Sequence, residues 1–316
     1  MQRKAFYLLI LSLTMVVGDV FAQATFPSVI LKNEFLQVKL NYKGAEMTSV
    51  LSLEDQVEYL WQGDDITWAD HAIIQFPIIG NLKDGRYQVD GQDYEMMSHG
   101  FARISDFEVI EQTDTKAIFL LRVNDFSRSV YPFDFSLQVQ YELDGKSVKV
   151  TFTVSNEGNR QMPFTLGYHP GFNCPLMGDE EMEDYVLRFE KKESADRLLM
   201  KDNLIAGTSA DYLAKDRELR LSKSLFQEDA IILQGFKSSS VTLQQATGDR
   251  SVKVDFGHVP YLGIWSPKKL GDFVCIEPWF GLPDSENTDG DFRKKAGMKQ
   301  LAPQEVFTWN CLITIN

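Results

Sequence analysis

Along most of this chain apolar and polar side chains alternate with a period near two, the spacing of a strand with one buried face. Residues 146–155, KSVKVTFTVS, alternate at nearly every step. Alternating or wholly apolar runs of strand length also occupy residues 28–32, 35–40, 47–53, 107–111, 116–124, 133–143, 185–189, 230–233, 240–243, 251–256, 262–265, 273–277 and 306–315. Turn chemistry separates them. Asp90-Gly91 and Asp144-Gly145 join residues that tolerate positive φ, which predicts hairpins. Asn156-Glu157-Gly158-Asn159 predicts a further turn. Residues 68–72, 196–206 and 209–217 read as short helices, and no long segment repeats apolar residues at helical spacing with good caps. Many closely spaced strands with so little helix predict an all-β fold, a large antiparallel sandwich or barrel rather than a βαβ architecture.

The bulk properties narrow this picture. The 316 residues are 44% hydrophobic, enough for a large core. Neither a repeat nor a low-complexity linker divides them, so one domain is expected over residues 23–316. A net charge of −13 repels polyanions, which excludes nucleic acid as the natural partner and favours a small or neutral ligand. The chain begins with basic Gln2-Arg3-Lys4, a short apolar run over residues 5–18, and Val20-Phe21-Ala22. That pattern predicts a signal peptide, residues 1–22, cleaved after Ala22, and hence export to a periplasm or out of the cell. The run is short for a bilayer crossing and no later stretch is long enough, so no stable membrane insertion is expected after cleavage. Cys174, Cys275 and Cys311 are an odd set, which leaves at least one thiol free. Cys275 and Cys311 sit in apolar strand-like runs and read as buried thiols; no CxxC or Cys/His spacing suggests zinc. The acidic runs at residues 179–184 and 190–196 lack EF-hand spacing and read as solvated loops.

Candidate chemistry gathers in three stretches. Residues 76–103 start apolar, pass Asn81, and end with His99, Gly100 and Arg103 together, as a polar binding site would. Residues 162–170, MPFTLGYHP, end a strand at His169, which the following proline keeps extended. In residues 273–279, Phe273, Cys275 and Glu277 share one face, so a carboxylate projects from an otherwise apolar surface. An unpaired charge there is costly, and burial raises a carboxylate's pKa. A histidine and a glutamate on rigid strands make a usable acid–base pair. The plainer readings are a satisfied core histidine and a structural ion pair.

These stretches resemble the aldose 1-epimerase (galactose mutarotase) family, in particular its LacX-like branch. The resemblance rests on Gly44-Ala45-Glu46, Trp61-Gln62-Gly63, Phe76-Pro77-Ile78-Ile79-Gly80, residues 98–103 (SHGFAR), residues 167–172 (GYHPGF), Gly263-Ile264-Trp265 and residues 275–279 (CIEPW), in the family's order. It implies a galactose mutarotase-like β-supersandwich with a sugar in a cleft, Glu277 as catalytic base, His169 as catalytic acid and His99 near the sugar. It implies interconversion of the α and β forms of a free aldohexose by ring opening, without metal, nucleotide or redox cofactor, by a monomer or homodimer. Asn81 stands where many members carry arginine; it can bond a hydroxyl but offers no charged fork. Arg103 is then the candidate for part of that contact, or the partner of a loop acid. Because hexose-6-phosphate epimerases also carry segments like HGFAR, a phosphorylated sugar stays open. Tyr168 and Trp265 are the first candidates for stacking on the sugar, with Trp68, Phe172 and Trp279 nearby, and Trp279 packed behind the base. The acid and base are expected to face one another across a gap the width of a pyranose. Two alternatives stand beside this reading: a non-catalytic sugar-binding protein on the same scaffold, and, more weakly, a polysaccharide-active enzyme. A hydrolase needs two placed carboxylates, and Glu277 is the one in a convincing context.

Overall fold

The computed structural model describes residues 27–268 and 271–316. Residues 1–22, expected to be a signal peptide, lie outside the described residues.

Two large antiparallel sheets build the molecule. The first has nine strands in the order Asp216–Arg220, Tyr185–Glu193, Ser240–Gln245, Ser251–Asp255, Val306–Ile315, Ser147–Asn156, Phe135–Asp144, Lys116–Arg122 and Glu108–Gln112. The second has seven: Leu204–Ser209, Asp196–Lys201, Ile231–Gln234, Tyr261–Trp265, Phe273–Trp279, Gly167–Asn173 and Ala72–Gln75. One continuous core draws on both. Val139, Tyr141, Val150, Phe152 and Val154 come from the first sheet; Ile74, Tyr168, Phe172, Leu262, Ile264, Val274 and Ile276 come from the second. Phe152 and Tyr168 meet across the layer with ring centroids 5.3 Å apart. Each such side chain contributes about 1.5–3 kcal/mol by leaving water. The all-β sandwich expected from the alternation is the fold observed.

The predicted hairpins form. Arg86–Val89 pairs with Gln92–Glu95 around Asp90 and Gly91, both at positive φ. At the other hairpin Ser147 pairs with Asp144, so the loop is Gly145-Lys146, one residue beyond the predicted turn. Gly145 at φ +55° suits the first position of such a loop.

The expected helices do not form. Residues 196–206 instead make the hairpin Asp196–Lys201 and Leu204–Ser209, turning on Asp202 (φ 51°) and Asn203 (φ 62°). The run Leu198-Leu199-Met200 hides the alternation, since Leu198 is buried while Leu199 is exposed. Asp216–Arg220 is an edge strand of the nine-stranded sheet. Trp68 bridges to Asp64 across a tight turn before Ala72–Gln75. The one α-helix among the described residues, Asp125–Val130, is capped by Asn124, whose side chain accepts from the Ser127 N–H.

Candidate active site

The seven-stranded sheet keeps one face for the core and turns the other to a cleft. The register that pairs Gly167 with Trp279 and Gly171 with Cys275 sets His169 opposite Glu277 on adjacent strands. Opposed side chains on one face are near neighbours. His169 Nε2 lies 3.1 Å from Glu277 Oε2, with both side chains almost fully buried. The expected gap between acid and base is therefore absent. The two stand side by side on the sheet and touch, because cross-strand partners cannot be held a sugar's width apart.

Glycines on the same face make room for this arrangement. A Cβ at Gly167 would come within 2.2 Å of Gln75 Oε1 and 2.8 Å of the Trp279 ring. A Cβ at Gly263, which pairs with Glu277, would meet Trp279 at 2.8 Å. The missing side chains let Gln75 and Trp279 lean in on either side of the pair.

His99 arrives from a loop, at φ +64°, a conformation histidine adopts more readily than most residues. Its backbone N–H donates to Gly80 O (3.0 Å), and the Gly80 N–H donates back to its Nδ1 (3.2 Å). Gln75 Nε2 also donates to Nδ1, at 2.8 Å, and points at Glu277 Oε2, 3.5 Å away. A backbone N–H can only donate, so Nδ1 is an acceptor and the ring proton sits on Nε2. Burial, with a smaller push from the Arg103 charge, lowers the His99 pKa to about 4. His99 is thus a neutral donor beside the pair. Its ring stands perpendicular to that of His169, centroids 5.6 Å apart.

The cleft above the pair has a volume of about 210 Å³. Trp68, Trp265, Trp279, Met200, Ile232 and Pro283 give it apolar walls. Asn81, Ser98, His99, Asn203 and Asp229 supply polar groups around His169 and Glu277. Among the described residues, neither lysine nor arginine lines it. Trp68 packs against the His169 ring at 4.9 Å, with Trp265 at 6.0 Å, so the imidazole is held from two sides.

Burial dominates the electrostatics. It raises the Glu277 pKa well above the ordinary value, against the opposing influence of the Gln75 amide and the nearby Trp279 indole, and Asp229 adds to the rise. It lowers the His169 pKa well below its ordinary value, helped by His99 and Arg103. Both shifts favour uncharged partners with one proton between them.

Two expected site residues are placed elsewhere. Tyr168 does not line the cleft: it is fully buried on the core face, because neighbours in a strand point to opposite sides. Arg103 is committed to Asp70, at 2.7 Å, and is absent from the lining. His99, Asn81, Trp265, His169 and Glu277 do converge. Asn81 is held through its carbonyl, which accepts from the Asp284 N–H (2.9 Å). Asp284 is itself locked by a buried bond to Lys295 (2.6 Å).

A family model for aldose 1-epimerase matches residues 27–314. The chain belongs to the aldose 1-epimerase family. It is 34% identical over 294 residues to the chromosomal LacX protein of Lactococcus lactis, covering 90% of this chain and 98% of that one. Among solved structures, a galactose mutarotase related enzyme from Lactobacillus acidophilus superposes with a TM-score of 0.88 at 34% identity, over 92% of this chain and 97% of that one. A galactose mutarotase-like protein from Lactobacillus casei does so at 0.87 and 30%, over 92% and 100%.

For an aldose 1-epimerase family member, the sequence reading missed four residues of the cleft. Gln75, Ser98, Asn203 and Asp229 were not singled out, although Gln75 bonds His99 and the others line the cavity. Gln75 carried a signal: a lone polar residue inside the apolar run 72–79. Asn203 was hidden by the helix expectation, and Asp229 stands in a turn at φ 84° that no pattern marked.

Proposed function

We propose that this protein is a working aldose 1-epimerase that interconverts the anomers of a neutral, free aldose. The observation that carries the reading is the His169–Glu277 pair, 3.1 Å apart on the floor of a cleft with aromatic walls. In a cyclic aldose the anomeric hydroxyl oxygen and the ring oxygen are both bonded to C1. Two proton-transfer groups that serve them must therefore be adjacent, and a lateral pair suits this better than one straddling the ring. Sugar oxygens entering the cleft would part the two groups and take over their hydrogen bonds.

In this reading the shared proton passes from Glu277 to His169 as the sugar engages the pair, and the Glu277 carboxylate then takes the proton from the anomeric hydroxyl. The C1 to ring-oxygen bond breaks, its electron pair stays on the ring oxygen, and that oxygen takes the His169 proton. A free aldehyde results. Rotation about the C1–C2 bond presents its other face, the ring oxygen re-attacks, and both protons return. No net proton is consumed, consistent with a pair that carries one. His99, with Nε2–H towards the cleft, is placed to donate to a sugar oxygen, and Trp265 and Trp68 offer faces to the sugar's C–H surface.

The absence of lysine and arginine among the described residues of the lining, together with the carboxylate of Asp229, favours neutral sugars over phosphorylated ones. Arg103, engaged with Asp70, does not supply the missing charge. The basic, apolar and small-residue pattern of residues 1–22 is the basis for proposing export. Following the optical rotation of freshly dissolved α-glucose and α-galactose tests the reaction. Faster equilibration than the spontaneous rate is expected, with no gain for hexose 6-phosphates. Tight sugar binding without faster equilibration would instead make this a sugar-binding protein.

A further inference from the structure

We infer that the floor of the cleft is also a binding site for a thiophilic divalent metal ion, zinc being the fitting one, held by His169, Cys275 and Glu277. A ring nitrogen of His169, the Cys275 sulfur and a Glu277 carboxylate oxygen lie within 4.8 Å of one another. Among the described residues this is the one place where three such side chains converge. All three stand on adjacent strands of the seven-stranded sheet and point to its cleft face.

The spacing is close to what zinc requires. With bonds of about 2.0–2.2 Å to nitrogen or oxygen and about 2.3 Å to sulfur, tetrahedral ligands sit about 3.3–3.6 Å apart. His169 Nε2 and Glu277 Oε2 are already at 3.1 Å. The sulfur needs to close by at most about 1.2 Å, within reach of side-chain rotation. One further observation favours an ion. The cleft reaches His169 and Glu277 directly, which gives an entry path and leaves a fourth position for water or a sugar hydroxyl.

The donor set selects the metal. One sulfur, one nitrogen and one oxygen suit zinc and its soft neighbours, whereas calcium and magnesium need six or more oxygens. Binding displaces protons: the thiol proton leaves for solvent, as does the one shared by His169 and Glu277. No oxidant or reductant is involved. Metal binding stands apart from the proposed isomerase activity. Its consequence, reversible inhibition by capture of the proton-transfer pair, rests on that reading.

Full-length protein stripped with a chelator would be titrated with Co²⁺ and then Zn²⁺. One Co²⁺ per chain is expected, with a thiolate-to-cobalt charge-transfer band in the near ultraviolet that excess Zn²⁺ erases. Cys275→Ser should abolish the band and weaken Zn²⁺ binding at least about tenfold. Cys311→Ser should keep it. His169→Asn, which retains the thiol, should weaken Co²⁺ binding and alter the visible bands, so the inference survives a misfolded serine variant. Zn²⁺ should slow anomeric exchange in the unaltered protein and do so less in Cys275→Ser. No band at saturating Co²⁺, or an equal band or equal Zn²⁺ affinity in folded Cys275→Ser, would overturn the site. A band without any anomeric exchange would sink the isomerase reading alone; exchange without a band would sink the metal site alone.

Discussion

Tyr168 and His169 are neighbours on one strand, and they inhabit opposite environments. Tyr168 lies in the dry layer between the sheets, against Phe152, and its hydroxyl makes no hydrogen bond of ordinary geometry. His169 points the other way, to the cleft floor, against Trp68 and Glu277. The same division runs along the glutamate strand: Val274 and Ile276 join the core, while Cys275 and Glu277 share the opposite face and Glu277 lines the cleft. One face of the sheet is thus built to be filled and the other to be opened, the second by glycines that leave space for Gln75 and Trp279. Both faces are almost equally buried, so burial alone does not separate them. Only the alternation of the strand does.

Substitutions on either face of the sheet test this division. His169→Asn should slow anomeric exchange about 10²–10⁴-fold, the weight of a proton-transfer group, with little change in melting temperature. Gly263→Ala or Gly167→Ala should come next. Its methyl group displaces Trp279 or Gln75 at a cost of about 1–3 kcal/mol in stability, with a loss of rate, read by thermal melts alongside polarimetry. Gln75→Leu removes one of two donors to His99 Nδ1 and should lower the rate about tenfold, the weight of one buried hydrogen bond. The Gly80 N–H still donates to Nδ1, so the His99 tautomer should persist, as nitrogen NMR of the ring would show. In the unaltered protein the same spectra should show His99 neutral, with its proton on Nε2, down to about pH 4.

The pH profile sharpens the electrostatic side. The productive pair carries one proton. That proton is lost as pH rises through the raised Glu277 value, and a second is gained as pH falls through the depressed His169 value. The acid limb should therefore lie below the ordinary histidine value of 6.5, and the alkaline limb above the ordinary carboxylate value of 4.5. A single rise centred on 6.5 with no alkaline fall contradicts this. The smallest effects belong to residues outside the cleft. Tyr168→Phe should leave exchange unchanged and shift stability by no more than about 0.5 kcal/mol. Arg103→Met should cost about 1 kcal/mol or less through its partly exposed pair with Asp70.

The alternation that separates the faces was also what made the fold legible. Period-two runs and Asp-Gly turns located most strands and both hairpins, because local sterics and one-sided burial leave a direct trace in residue order. His169 and Glu277 were legible for the same reason, each a polar group at the end of an apolar strand before proline. Tyr168 was misplaced because a motif was weighed above the period that assigns neighbours to opposite faces. Residues 196–206 were misread because three adjacent apolar side chains masked the alternation. The direct contact of His169 and Glu277 was not legible at all. It depends on the register between strands more than one hundred residues apart, which no local pattern encodes.

The central claim is that His169 and Glu277, in contact on the cleft floor, open and close the sugar ring. Anomeric exchange measured by saturation-transfer NMR on an equilibrated aldose, in the unaltered protein and in Glu277→Gln, tests it most directly. Enzyme-dependent transfer between the two C1 proton signals is predicted for the unaltered protein and a near-complete loss for the variant, with both proteins folded. Equal transfer in the two, or none in either for every neutral aldose tried, would contradict it.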